Sequence, residues 1–181
     1  MRRKTMILIL VAVMCSLTVL AQARKETKAA PNPGVAKLQS LLGQWSGTAE
    51  MTEPGKSPMK VEVSIRCHQA SEGWAVLCRD RFSSKEMDYR ETDLFGYDAE
   101  AGEVHWYAVT NAGEVHDHVG TWDGTTLNAH YAGHSGGKEL HEALTLGVKG
   151  GNEMTFRVVT TVAGATASTM TGIMKKTTQR N

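Results

Sequence analysis

Turn signals recur at short intervals from Gln44 to the end of the chain, and this spacing limits the possible folds more than any other feature. Eight glycine-containing clusters separate short segments that read as β-strands. The ten predicted strands are Gln44–Met51, Met59–Gln69, Trp74–Phe82, Tyr89–Tyr97, Glu103–Thr110, Glu114–Trp122, Thr125–Tyr131, Lys138–Leu146, Glu153–Val162 and Ala165–Lys176. No long helical segment separates them, so consecutive strands are predicted to pair antiparallel as a meander.

The predicted fold class is all-β, an antiparallel up-and-down barrel of about ten strands with one short N-terminal helix. Closure is favoured because a closed barrel exposes no strand edge. The helix is predicted from Val35, Leu38, Leu41 and Leu42, which recur at helical spacing, and Gly43 ends it. We expect this helix to cover one end of the barrel.

The first 23 residues have the organisation of a secretory signal peptide. The basic residues Arg2–Lys4 precede an apolar run, Met6–Leu20, and Ala21–Ala23 offers an A-x-A cleavage site. The apolar run is too short to favour a stable membrane span. The sequence therefore predicts a secreted or periplasmic protein of a bacterial envelope.

The rest of the chain is predicted to form a flexible linker, residues 24–34, and one barrel domain, residues 35–178. The signal peptide contains three basic residues and no acidic one, so its removal changes the formal net charge from +1 to −2. This balance argues against a nucleic-acid partner, which would need a marked basic excess.

Cys67 and Cys78 remain after the predicted cleavage, in a compartment that permits disulfides. If the hairpin turn between them is centred on Glu72 and Gly73, the two cysteines lie directly opposite each other. Their Cβ atoms are then ~4.5–5.5 Å apart, which nearly suits a disulfide. We expect this bridge, although a three-residue loop would shift the register and leave two reduced thiols.

The residues around the first predicted strand resemble the calycin superfamily, which includes lipocalins, fatty-acid-binding proteins and nitrobindins. The resemblance is carried by the G-x-W signature and its surroundings, Leu41, Leu42, Gly43, Trp45 and Gly47.

Two later motifs resemble an uncharacterised bacterial family with a lipocalin-like barrel. The motifs are a "GYD…G" hairpin and a "GTW" sequence, formed by Gly96, Tyr97, Asp98 and Gly102 and by Gly120, Thr121 and Trp122. The resemblance covers Leu38 to about Lys176, and such short motifs specify a fold more strongly than a function.

The resemblance to nitrobindins does not extend to their haem site. Nitrobindins bind haem iron through a histidine near the C-terminus, whereas the last histidine here is His141, ahead of the final two predicted strands. Ala49 also replaces the last glycine of the nitrobindin G-x-W-x-G-x-G motif. Haem is therefore not expected, and no other resident cofactor is predicted apart from a possible metal ion.

The segment "EVHDHVGTWDG" contains two histidines, His116 and His118, on one face of a predicted strand. A three-residue "NAG" hairpin loop places His116 opposite Ala108 and His118 opposite Trp106. We expect this face to point into the barrel with Trp106. The other face carries several valines, which favours the opposite orientation.

Two histidines at i and i+2 on one strand can chelate a single metal ion, so His116 and His118 are candidate metal ligands. A third ligand could come from His130, His141 or Glu142, and no spacing in the sequence chooses among them. The alternatives are a pair of lumen histidines that form hydrogen bonds, or an exposed pair.

The favoured function is non-enzymatic binding of a small, apolar or amphipathic molecule inside the barrel. The predicted lining residues are Trp45, Trp106, His116, His118, Tyr131 and Phe156. Arg66, Arg79 and Arg157 would suit a carboxylate-bearing ligand if they faced the lumen, but they could equally be solvated outside it.

Two other functions stay open, and so does the question of enzymatic activity. One is a metal-dependent or histidine-using enzyme, and the other is a filled barrel whose outer surface binds an envelope partner. A hollow lumen would favour ligand binding, whereas histidines that converge on a common point would favour the enzyme.

Overall fold

The computed structural model describes residues 32–177, which form a closed ten-stranded antiparallel barrel preceded by a short helical segment. The predicted signal peptide lies outside the described residues. The elements are α1 (Pro33–Leu38), a 3-10 turn (Gln39–Leu41), β1 (Gly43–Thr52), β2 (Met59–Ala70), β3 (Ala75–Ser83), β4 (Asp88–Asp98), β5 (Glu103–Thr110), β6 (Val115–Asp123), β7 (Thr126–Ser135), β8 (Lys138–Lys149), β9 (Glu153–Val162) and β10 (Ala165–Thr177). Each strand pairs with its neighbours in the chain, and β1 also pairs with β10. The predicted fold class is therefore confirmed.

The strands alternate between buried and exposed residues, because successive side chains of a strand point to opposite faces. In β2, Val61, Val63, Ile65 and Cys67 are buried, and the residues between them are exposed. This alternation continues around the barrel and separates a lumen face from a solvent face.

The seam between β1 and β10 requires close backbone approach at Gly47. A β-carbon at Gly47 would lie 2.1 Å from the carbonyl oxygen of Ile173, so any other residue would push the two strands apart. Gly120 is similar, since a β-carbon there would lie 2.4 Å from the carbonyl oxygen of Asn128 on β7. Gly47 and Gly120, one from each G-x-W-x-G motif, therefore permit close contacts between strands.

The helical segment packs against β3 and β4 and buries its apolar residues in the barrel core. Leu38 and Leu41 are almost wholly buried, and Leu41 faces the lumen. The Trp45 indole N–H donates a 2.7 Å hydrogen bond to the carbonyl oxygen of Leu41, which attaches the 3-10 turn to β1. Across residues 32–177, no helix has the length and apolar character needed to span a bilayer.

The predicted strand ends mostly agree with the structure, with the largest difference at the β7–β8 hairpin. The sequence predicts that the seventh strand ends at Tyr131, but β7 continues through His134 to Ser135. Gly136 and Gly137 both have positive φ angles, +57° and +76°, and they form the whole two-residue turn. The strands can therefore pair up to Ser135 and Lys138.

A disulfide joins Cys67 on β2 to Cys78 on β3, as predicted. The two residues are direct partners in the β2–β3 ladder, which ends with Ala70 paired to Ala75. Four residues, Ser71–Trp74, connect these strands, so the turn keeps the register that opposes the cysteines.

Replacing both cysteines with alanine is expected to lower the free energy of unfolding by about 3 kcal/mol, because the bridge lowers the conformational entropy of the unfolded chain. The melting temperature should fall by about 10 °C in a domain of this size. Thermal unfolding followed by circular dichroism measures the change. A reducing agent should destabilise the parent protein and leave the double variant unaffected, and equal sensitivity of both would contradict the bridge.

Candidate ligand-binding site

The barrel encloses a cavity of about 240 Å³. Its wall is mainly apolar and includes Phe82, Phe95, Trp106, Phe156 and Met170. The 3-10 turn contributes Leu41 to the same wall. The lumen is therefore hollow, and it is not filled by side chains.

His116 and His118 lie on the lumen face of β6 and line this cavity. The β5–β6 ladder pairs His116 with Ala108 and His118 with Trp106, which confirms the register predicted from the "NAG" loop. Gly113 has a φ angle of +82°, as expected for the last residue of such a loop. The valines of the opposite face lie on the outside, where Val109 and Val115 are exposed.

Glu142 lies between the two histidines, and we call these three residues the His–Glu group. One carboxylate oxygen of Glu142, Oε2, is 3.0 Å from Nδ1 of His116 and 2.9 Å from Nε2 of His118. The side chains of His116, His118 and Glu142 are 11%, 4% and 15% exposed, so all three are largely buried. Of the three candidates for a third ligand, Glu142 is thus the one that lies beside the predicted histidine pair.

The local sheet geometry explains how β8 reaches β6 across β7. The β6–β7 ladder extends only from Asp123 and Thr126 to Val119 and His130, although β7 continues to Ser135. Beyond His130 the two strands no longer pair, and the Tyr131 ring stacks on the His116 ring with centroids 4.2 Å apart. Glu142 is the ladder partner of Tyr131 on β8, and its side chain extends to both histidines.

The neighbours of Glu142 favour its charged form. Burial alone would raise the pKa of Glu142, but hydrogen bonds and charge interactions with His118 and His116 hold that pKa below its ordinary value. The Thr160 hydroxyl donates a 3.4 Å hydrogen bond to the second carboxylate oxygen.

Three further carboxyl groups lie close together in the barrel wall, and we call Asp80, Glu91 and Asp93 the acidic trio. Asp80 on β3 pairs directly with Glu91 on β4, and Asp93 follows two residues later on the same face. One carboxylate oxygen from each lies within 4.8 Å of the others. Asp80 and Glu91 line the cavity, and Asp93 lies wholly buried beside them.

The acidic trio has too few partners to offset its burial. Burial raises the pKa values of Asp93 and Glu91 by more than the nearby Trp106 and Tyr89, respectively, lower them. Oδ1 of Asp80 and both carboxylate oxygens of Asp93 have no hydrogen-bond partner among the described residues. Burial and the neighbouring carboxyls of Asp93 and Glu91 raise the pKa of Asp80 well above its ordinary value. Burial raises the pKa of Glu91 as well, and it raises that of Asp93 to about 6.

The acidic trio was missed in the sequence, although the strand pattern contains a signal for it. Asp80 follows Cys78 by two residues, so its side chain points to the same inward face of the strand as the Cys78 side chain. Glu91 and Asp93 share the frame of the buried Phe95 in the same way. Charged residues in the apolar frame of a predicted strand therefore mark this cluster.

The structure brings four of the six predicted lining residues together at the cavity, Trp106, His116, His118 and Phe156. Tyr131 contacts both histidine rings without lining the cavity itself. Trp45 does not line the cavity. Its ring packs in the core beside the 3-10 turn, and its N–H donates a hydrogen bond to the carbonyl oxygen of Leu41. We therefore do not retain Trp45 as a ligand contact.

The remaining polar candidates from the sequence lie on the outer face. His130 and His141 are exposed, so neither can complete the His–Glu group. Arg66, Arg79 and Arg157 are also exposed. Within residues 32–177, no arginine or lysine lines the cavity.

The acidic trio should make the stability of the protein depend on pH. A carboxyl whose pKa is raised by folding destabilises the folded state above its unfolded pKa of about 4, and this cost grows until the pH exceeds the folded pKa. The variant Asp80→Asn cannot ionise. It should be more stable than the parent near pH 8, by about 1.4 kcal/mol for each unit of pKa shift.

Chemical denaturation at pH 4, 6 and 8 measures this difference, which should shrink towards pH 4. The variant must be compared with the parent at each pH, because Glu142 and other carboxyls with lowered pKa values stabilise both proteins less as the pH falls. The exposed Asp123→Asn is the matched control and should follow the parent at every pH. An Asp80→Asn advantage that does not change with pH would contradict a raised pKa.

Comparison with known proteins agrees with this architecture. A search of curated proteins found no match. Among solved structures, the chain is similar to Rv2717c from M. tuberculosis, with a TM-score of 0.65 and 15% identity over 81% of this chain and 99% of that chain. It is also similar to the S-type phycobiliprotein lyase CPES from Guillardia theta, with a TM-score of 0.57 and 9% identity over 83% of this chain and 100% of that chain.

These identities are low, so the two likenesses establish the barrel fold alone. A family model described as "protein of unknown function (DUF1579)" matches residues 30–180, which is most of the sequence. The chain therefore belongs to the DUF1579 family.

Proposed function

We propose that this protein binds a small, mostly apolar molecule inside the barrel, without catalysing a reaction, and that the head group of this molecule donates hydrogen bonds or carries positive charge. One observation supports the proposal above all others. The hollow, apolar lumen is lined by the carboxyl groups of Asp80 and Glu91, and Oδ1 of Asp80 has no hydrogen-bond partner among the described residues. A ligand with donor groups would satisfy them.

The size and lining of the cavity suit a small amphipathic ligand. Its volume of about 240 Å³ is slightly below the usual range for ligand pockets, roughly 300–1,000 Å³, so the ligand should be small. Aromatic and aliphatic side chains supply most of the contact surface, which favours an apolar body. The carboxyl and imidazole groups of the wall come from Asp80, Glu91 and the His–Glu group. The other polar residues of the wall are Tyr89, Thr145, Thr160 and Ser168.

The charge of the lumen favours an amine or a similar cation over an acid. Asp80, Glu91 and Glu142 line the cavity without any lysine or arginine among the described residues. A carboxylate-bearing ligand would find no cationic side chain there and would be repelled by the ionised Glu142. An ammonium group would donate hydrogen bonds to the carboxyls of Asp80 and Glu91 and would favour their ionised forms. The outward position of the three mid-strand arginines removes the feature that would have suited an acidic ligand.

We also propose that the protein works after export, in the periplasm or outside the cell. The signal-peptide pattern of residues 1–23 supports this location. The Cys67–Cys78 disulfide supports it independently, because such bonds persist mainly in oxidising compartments.

The two alternative functions differ in their support. A filled barrel is disfavoured because the lumen holds a cavity of about 240 Å³. A metal-dependent or histidine-using enzyme is favoured by one observation, the convergence of His116 and His118 within 3.0 Å of one carboxylate oxygen of Glu142. Binding is preferred because it uses both the apolar wall and the unpaired acids.

The head-group preference can be tested with three probes that share an eight-carbon chain: octylamine, octan-1-ol and octanoate. Isothermal titration calorimetry at pH 7 should show the tightest binding for octylamine and at least about tenfold weaker binding for octanoate, because only the amine pairs with the lumen carboxyls. Asp80→Asn should reduce the affinity for octylamine towards that for the alcohol. Equal or reversed affinities would contradict the proposed head group.

The location of the probe in the lumen can be tested by filling the cavity. Ala108 lines the cavity on β5, and the adjacent Val109 points outward. Ala108→Phe should weaken octylamine binding at least about tenfold by occupying the ligand volume, whereas the matched control Val109→Phe should not change it. If Ala108→Phe does not fold, Ser168→Leu blocks the same cavity from β10. Unchanged binding in a folded lumen variant would place the probe outside the barrel.

A further inference from the structure

We infer that His116, His118 and Glu142 form a binding site for a divalent transition-metal ion such as Zn²⁺. The inference stands on the geometry of the His–Glu group and does not depend on which small molecule the cavity binds. The proposed site joins β6 and β8, two strands that are not neighbours in the sheet.

The donor set matches the ligands that zinc prefers. Zinc in proteins takes nitrogen from histidine and oxygen from carboxylates, with bonds of about 2.0–2.2 Å, and a site with three protein ligands leaves a fourth position open. Here Nδ1 of His116 and Nε2 of His118 lie 3.0 and 2.9 Å from Oε2 of Glu142. Ligand atoms around a tetrahedral ion are about 3.3 Å apart, so each histidine nitrogen needs to move only a few tenths of an ångström from Oε2. All three ligand atoms lie within 4.8 Å of one another.

The hydrogen bonds of His118 are difficult to satisfy without a cation between it and Glu142. Its Nδ1 lies 3.3 Å from the carbonyl oxygen of Trp106, and its Nε2 lies 2.9 Å from the carboxylate of Glu142. A neutral imidazole has one N–H and one lone pair, so it can donate to only one of these two oxygens. Either a proton or a metal ion at the Glu142 side resolves the other contact.

The surroundings have the form expected of a metal site. A histidine that binds metal usually donates its other N–H to a backbone carbonyl or a carboxylate, and Trp106 supplies that carbonyl for His118. The free oxygen of Glu142 accepts a hydrogen bond from Thr160, which holds the carboxylate in place. The Tyr131 ring stacks on His116 and fixes the orientation of that imidazole.

The site would also be accessible to a second molecule. His116, His118 and Glu142 all line the central cavity, so the open position of a bound ion would face the lumen. Water or a donor atom of a lumen ligand could occupy it. The unpaired stretches of β6 and β7 next to Val119 and His130 lie in the same part of the wall.

The test is titration of the untagged full chain, first freed of metal with a chelator, with Zn²⁺ by calorimetry and with Co²⁺ by visible absorption. We expect one ion per chain with a dissociation constant in the micromolar range or tighter, and absorption bands of a four- or five-coordinate Co²⁺ ion. Glu142→Gln and His116→Phe should each weaken binding at least about 100-fold, since loss of an outer partner alone costs about 10–100-fold. Glu142→Gln preserves the shape of the side chain, and His116→Phe keeps a planar ring that can stack on Tyr131.

Two controls separate this site from other polar groups. The exposed His141 lies 2.9 Å from Glu139 on the outer surface, so His141→Phe removes a similar histidine–carboxylate pair and should leave affinity unchanged. Asp80→Asn should also have little effect, because it alters only the acidic trio. If the parent protein does not bind metal stoichiometrically, the inference is wrong. A proton on His118 would then account for its contact with Glu142. Binding that survives Glu142→Gln and His116→Phe but is lost in Asp80→Asn would overturn it in favour of the acidic trio.

Discussion

Closure of the sheet between β1 and β10 determines where every functional side chain of this barrel points. Once the two strands pair, with Gly47 allowing the backbones to approach, each strand has one inner and one outer face. A shift of one residue in any ladder would exchange the two faces. The disulfide between paired cysteines on β2 and β3 holds one of these registers covalently.

The lumen combines a large apolar wall with carboxyl groups that folding leaves without sufficient compensation. A protein selected only for stability would place apolar side chains at Asp80 and Asp93, because burial of unpaired carboxyls is costly. Their presence in the barrel wall is a local conflict with the fold, and such conflicts commonly mark functional sites. The His–Glu group differs, because its charges and hydrogen bonds support each other across β6 and β8.

The strand pattern of the sequence was sufficient to predict the closed ten-stranded barrel, the Cys67–Cys78 pairing and the β5–β6 register, since these depend on turn positions and on alternation. Alternation could have excluded His130, whose ladder partner is the outward-facing Val119, but the reach of Glu142 across β7 to both histidines could not be predicted. It depends on the separation of β6 from β7 beyond His130, which no local pattern records. The lumen position of Asp80 could have been predicted from its frame with Cys78, whereas the packing of Trp45 beside Leu41 depends on how the helical segment joins the barrel.

We propose above all that the hollow lumen is a binding site. Native mass spectrometry of the protein purified from its own envelope or medium, with and without a chelator, tests that claim most directly. We expect a mass above that of the processed, disulfide-bonded chain, and we expect the chelator to remove the part of the excess that is due to a metal ion. A mass equal to the bare processed chain under both conditions would contradict a retained lumen ligand or ion.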